Sequence, residues 1–164
     1  FCLAEPESKV LVVCAEFCSI HLQKNIDPDH LLSAALFGDG AAALIVESEP
    51  GPGLSLKIEA EHCDLFTEGD KEMAWHIGDY GFEMKLSSYI PDLIREGIEP
   101  LTKALFTHLK ISLNDIDHFA IHPGGKRILD VIEQKLHIPF EKNKAAREIL
   151  RERRCGAVKP FPPS

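Results

Sequence analysis

The sequence predicts an α/β domain in which helices pack on a mixed sheet. Two short runs, residues 9–16 and 41–46, are almost wholly apolar and rich in β-branched or small residues, as in strands buried on both faces of helix-covered sheets. Amphipathic helical stripes alternate with such runs, and the gaps between them are compact. At 164 residues, 45% apolar and 27% charged, the chain has the size and composition of one globular domain. That composition excludes a disordered chain, a collagen-like repeat and a disulfide scaffold.

Residues 9–16 read as the first buried strand, with Cys14 inside it. Residues 19–29 read as a loop carrying the turn formers Asn25, Asp27, Pro28 and Asp29, with Asp29 able to cap a short helix through Leu36. Gly38-Asp39-Gly40 breaks the chain before the second buried strand, and residues 49–53 form a turn. Leu54, Leu56, Ile58 and Ala60 alternate as in a half-exposed strand over residues 54–66. Residues 67–81 read as irregular. A long helix starts near Ser87 or Ser88, with Ile90, Ile94, Ile98, Leu101 and Leu105 on one stripe. Pro91 suits its first turn, whereas Pro100 predicts a kink or interruption. A helical turn at 113–116, a strand at 117–122 and a tight turn at 123–125 follow. Residues 126–136 form a second amphipathic helix, marked by Ile128, Ile132 and Leu136, and residues 141–152 a third. Residues 1–152 make up the patterned domain; the non-periodic tail 153–164 is expected to be disordered.

Eighteen Lys and Arg against 26 Asp and Glu give a net charge of −8, so no global field attracts polyanions. The one basic stripe is Arg147, Arg151, Arg153 and Arg154, and no nucleic-acid partner is expected. No apolar stretch approaches the roughly 20 residues of a bilayer span, so no membrane role is expected either. No Met opens the chain, no charged leader precedes it, and both ends look cut. Five cysteines without regular spacing predict reduced thiols and a cytoplasmic protein. Cys14 and Cys18 have no second pair at zinc-ligand spacing, so no metal is expected.

Gly38-Asp39-Gly40-Ala41-Ala42-Ala43 matches a dinucleotide fingerprint by letter, but the glycines here follow a helix and open a strand, the reverse of that motif's context. They serve a turn or a close approach; Asp39 orients a group there or is simple turn chemistry. His122-Pro123-Gly124-Gly125 is more informative. It places His122 at the end of a strand and at the start of a helix, where crevices open and amide dipoles favour an anion. The imidazole can hydrogen-bond a thiolate or a developing oxyanion, or merely cap the helix. No His pair has metalloprotease spacing, and no serine nucleophile elbow occurs.

Taken together, three stretches resemble the type III polyketide synthases, the chalcone synthase-like condensing enzymes. They are residues 10–16, Leu36-Phe37-Gly38-Asp39-Gly40 with the small-residue strand after it, and residues 121–125 with Ile128-Leu129-Asp130. The resemblance covers residues 1 to about 150. It implies the thiolase-like fold, layered αβαβα, of which this chain holds mainly the C-terminal half. It also implies an acyltransferase that condenses malonyl-CoA with an acyl-CoA starter in a homodimer, the CoA thioesters being substrates and no cofactor being needed. The site so implied is a Cys nucleophile with a His and an Asn that stabilise the enolate and oxyanion. His122 matches the His.

Substrate contacts carry over to Phe37, Gly38, Gly124 and Gly125. Phe37 matches a gatekeeper Phe between the CoA tunnel and the cavity. The second family gate aligns with Met84, although Phe82 is the alternative aromatic partner and core packing the alternative role. Met is flexible, which suits fatty acyl starters. His21 falls near a cavity-shaping position. The Cys nucleophile matches no position, since Cys2 lies too close to the first strand and Cys14 and Cys18 lie in or just after it. No Asn follows Asn143, so the catalytic Asn is unmatched too, which suggests a truncated or frameshifted parent. Two alternatives are a catalytically inactive thiolase-fold binding or assembly module and a ketoacyl synthase III-like enzyme; His122-Pro123-Gly124-Gly125 argues against the latter. The isolated chain, with a sheet edge uncovered, is expected to self-associate.

Overall fold

The apolar run that opens at Val10 folds, in the computed structural model, as strand β1 (Val10–Glu16). It pairs antiparallel with β2 (Gly40–Val46), from Val10 opposite Val46 to Glu16 opposite Gly40. The structure describes residues 1–22, 24, 27–49, 51–79 and 81–152. Asn25, Pro50, Arg153, Arg154 and the tail 153–164 lie outside the described residues.

Between these strands the chain makes a 3₁₀ turn (Cys18–His21) and helix α1 (Pro28–Leu36). Asp27, not Asp29, caps α1: its carboxylate accepts the His30 amide at 3.3 Å, while Asp29 lies within the helix. A second antiparallel pair, β3 (Met73–Gly78) and β4 (Gly81–Leu86), forms a two-residue hairpin in the segment whose sequence reads as irregular. Gly81 has φ 126°, a backbone setting that favours glycine. Among the described residues each sheet has two strands, so neither is the mixed sheet expected from the sequence.

Helix α2 (Ile90–Leu109) runs unbroken through Pro100, contrary to the expected interruption. Glu96 and Pro100 are both exposed, so the carbonyl that loses its amide donor lies on the solvent side of the helix. A left-handed Lys110 ends α2, and a left-handed His137 ends α3 (Lys126–Leu136). Helix α4 (Lys144–Glu152) follows a 3₁₀ turn (Phe140–Asn143).

Ile132, Leu136 and Ile138 are buried, and Ile94 and Ile98 of α2, Ile128, Phe119 and Ile121 pack around them. Ile132, Leu136 and Ile138 contribute roughly 1.5–3 kcal/mol each on burial, the partly buried residues around them less. The exposed ion pairs between α2 and α3, Lys135–Glu99 at 3.0 Å and Arg127–Asp92 at 3.4 Å, contribute at most about 1 kcal/mol each. Apolar packing therefore decides how these two helices sit.

Three expectations of burial or pairing are corrected. β1 and β2 are exposed along nearly their whole length, and so is Cys14, because no described element covers either face of this two-stranded sheet. Residues 54–66 form no strand, and Leu54, Leu56 and Ile58 are exposed. Residues 117–122 pair with no described strand, although burial still alternates: Phe119 and Ile121 face the core while His118, Ala120 and His122 are exposed. A ladder needs a partner strand; the side-chain alternation survives without one. Among the described residues no helix is long and apolar enough to cross a membrane.

Candidate active site

Antiparallel pairing sets Glu16 opposite Gly40, so the turn that leaves β1 lies beside the turn that enters β2. Asp39 joins them. Its carboxylate accepts the Ser19 amide at 2.7 Å and the Ser19 hydroxyl at 2.6 Å. The Ser19 hydroxyl, and then its amide, hold the Asp39 carboxyl below the usual carboxylate range. Phe37 follows the last turn of α1, its amide donating to the Ser33 carbonyl at 2.8 Å. The β3–β4 hairpin lies along α1 and contributes Trp75 and Met84.

These elements line a cavity of about 310 Å³ that is open to solvent on one side and of a size that takes a small ligand. Phe37, Gly38 and Met84, far apart in sequence, all line it. So do His21, Trp75 and the buried His30. The His21 ring lies 4.9 Å from Trp75 and 5.7 Å, edge-on, from Phe82. Phe82 is thus an aromatic neighbour of the cavity wall, while Met84 lines the cavity itself.

His122, Gly124 and Gly125 form a second locus and are not among the residues that line this cavity. His122 is exposed, and its carbonyl accepts the Gly124 amide at 2.9 Å. A Cβ on Gly124 would lie 3.2 Å from the imidazole and 3.3 Å from Ile128, so glycine permits the close approach of backbone to ring. Gly125 has φ 153° with open space at its Cβ position, so there the backbone angle alone requires glycine. Gly125 is also the residue from which α3 starts, which puts the free amides of that helix next to the imidazole's backbone.

Sequence reasoning missed Trp75, His30 and Ser33 as cavity residues and left His21 without a role. The signal for Trp75 was the period-two pattern Met73, Trp75, Ile77 against Ala74, His76, Gly78, which marks a strand. His30 and Ser33 are spaced by three in α1 and both are buried, the sign of one inward helical face.

The chain matches the chalcone and stilbene synthase C-terminal domain over residues 57–158, and 3-oxoacyl-[acyl-carrier-protein] synthase III over residues 3–62. It is 34% identical over 154 residues to the 1,3,6,8-tetrahydroxynaphthalene synthase of Streptomyces griseus, a match covering 93% of this chain and 41% of that protein. It is 32% identical over 159 residues to a Bacillus subtilis (strain 168) protein that carries the name chalcone synthase, covering 93% of this chain and 44% of that protein. The chain thus spans less than half the length of these relatives.

Among solved structures, 1,3,6,8-tetrahydroxynaphthalene synthase from Streptomyces coelicolor A3(2) superposes with a TM-score of 0.77 at 28% identity, over 91% of this chain and 42% of that one. The C-terminal type III polyketide synthase domain of Steely1 from Dictyostelium gives 0.74 at 29% identity, over 91% and 43%. PKS-I from the brown alga Ectocarpus siliculosus, at 24% identity, shares the fold with a TM-score of 0.84 over 94% and 41%. The α/β, thiolase-like fold expected from the sequence is the fold of these enzymes. With residues 57–158 matched and the relatives aligned over 93% of its length, the chain belongs to the chalcone and stilbene synthase family, the type III polyketide synthases.

Proposed function

We propose that residues 1–152 supply the C-terminal part of a homodimeric acyltransferase that condenses malonyl-CoA with an acyl-CoA starter. The observation that carries this reading is the turn His122-Pro123-Gly124-Gly125, where an exposed imidazole sits beside the start of α3 inside the segment shared with the family. In the proposed reaction the bond from the malonyl α-carbon to its carboxylate breaks, and carbon dioxide leaves. The electron pair forms a thioester enolate, whose oxygen accepts a hydrogen bond from His122. The enolate carbon then attacks the starter's thioester carbonyl, and a thiolate departs. No residue of this chain is assigned as that nucleophilic thiol or as the family's Asn. Phe37, Gly38 and Met84 form the acyl passage, and Gly124 and Gly125 let the backbone approach the thioester. The five irregularly spaced cysteines suit a reducing, cytoplasmic compartment.

A second reading is a carrier-protein-dependent condensing enzyme, favoured by the match of residues 3–62 to the acyl-carrier-protein synthases. Condensation assays on this chain joined to the N-terminal part of a type III polyketide synthase separate the two. Use of malonyl-CoA with dodecanoyl-CoA supports the first; use of malonyl-acyl carrier protein alone supports the second. The chain by itself is expected to release no carbon dioxide, and turnover by it alone would overturn the division of the site.

A further inference from the structure

The cavity wall contains a joint that the reaction above does not use. The 3₁₀ turn Cys18–His21 carries His21 against Trp75, and Ser19 of that turn is bonded through both its amide and its hydroxyl to one carboxylate, Asp39. Ser19, His21, Asp39 and Trp75 all line the same cavity. The turn itself is short, contains no buried residue and sits at the exposed end of β1. Its own 3₁₀ bonds are long, with Ile20 N to Phe17 O at 3.4 Å and Leu22 N to Ser19 O at 3.3 Å. The two Ser19–Asp39 bonds, at 2.7 and 2.6 Å, are much better formed, and bonds to an ionised acceptor are about twice as strong as neutral ones. Local structure therefore does not fix the turn; Asp39 does.

We propose that Asp39 is a positioning residue that clamps the Cys18–His21 turn, holds the His21 ring on Trp75, and so sets the width of the cavity between that wall and Phe37. On the condensing-enzyme reading, which this inference rests on for its ligand, the clamp selects the girth of the acyl chain that enters. The inward side of the clamp is aromatic and the carboxylate is spent on Ser19, so the ligand it suits is an apolar chain rather than a cation.

Trp75 is the chain's single tryptophan, so its emission reports this wall alone. Asp39→Ala is expected to shift that emission to the red and brighten it, because His21 leaves the indole and water replaces it. Asp39→Asn keeps an acceptor for the Ser19 amide and is expected to restore the native spectrum. Far-UV circular dichroism should be unchanged in both. A native spectrum in Asp39→Ala overturns the proposal. If Asp39→Ala loses its circular dichroism, Ser19→Ala, which removes only the hydroxyl bond, carries the test: a partial red shift supports the clamp and no shift overturns it. Titration with dodecanoyl-CoA separates the ligand class from the clamp. Binding weakened about tenfold in Asp39→Ala supports both. A red shift in Asp39→Ala with no dodecanoyl-CoA binding by the native chain supports the clamp and contradicts the acyl ligand.

Discussion

Glu133 of α3 accepts hydrogen bonds from two nitrogens of Arg147 on α4, the Nε contact measuring 3.0 Å. Arg147 also reaches Asp130 at 2.7 Å, and the fully buried Asn143 donates to Glu133 at 2.8 Å. This network fastens the last described helix to the one that starts behind His122. Both charged side chains are largely shielded, 13% and 18% exposed, so the pair escapes the screening that weakens surface ion pairs.

Arg147→Ala is therefore expected to destabilise the chain by about 1.5–3 kcal/mol, the usual range for hydrogen bonds to charged groups. Urea unfolding measures this; a loss within a few tenths of zero would mean the network is decorative.

The same network predicts a pH dependence. Burial pushes the Glu133 carboxyl up, but the Arg147 and Asn143 hydrogen bonds outweigh it and hold the group below its ordinary value. A carboxyl depressed in the folded state stabilises the fold fully above its unfolded pKa of about 4.3. That stability fades as pH falls through the folded value. Glu133→Gln should flatten the decline of thermal midpoint below about pH 4.3; an unchanged decline would assign the acid sensitivity elsewhere.

Ile132→Ala should cost about 2–5 kcal/mol, because Ile132 is 7% exposed and its neighbours come from three directions. Phe119 and Ile121 lose part of their support, so amide exchange in residues 118–124 should accelerate more than in β3 and β4. Uniform acceleration would show that His122 is not held through this cluster.

The two glycines after His122 should fail differently. Gly125→Ala meets no neighbour but is strained at φ 153°, so it should cost about 1–3 kcal/mol in stability. Gly124→Ala pushes on the imidazole and should disturb the His122 ring resonances with a smaller change in stability. Paired unfolding and NMR measurements check this, and equal effects on both readouts would contradict it.

The helices were legible because their signals are local. The stripes at Ile90, Ile94, Ile98 and at Ile128, Ile132, Leu136 fall where α2 and α3 lie. The β3–β4 hairpin was missed although Met73, Trp75, Ile77 and Phe82, Met84, Leu86 alternate with other residues, because Asp79-Tyr80 is not a strong hairpin turn. Strand pairing at 54–66 and 117–122 depends on a neighbour that sequence pattern does not specify. Phe37, Gly38 and Met84 could be named from motifs, yet their meeting in one cavity with Trp75 and His21 is a tertiary result. The Ser19–Asp39 joint spans twenty residues and carries no periodic signal.

Carbon dioxide release from carboxyl-labelled malonyl-CoA in the presence of dodecanoyl-CoA tests the role of His122 most directly, measured on the chain joined to the N-terminal part of a type III polyketide synthase, with and without His122→Ala. The substitution is expected to lower release by about 10²–10³-fold, the usual cost of one oxyanion donor. The thermal midpoint should stay unchanged, since the residue is exposed. Undiminished release in His122→Ala would contradict the assignment.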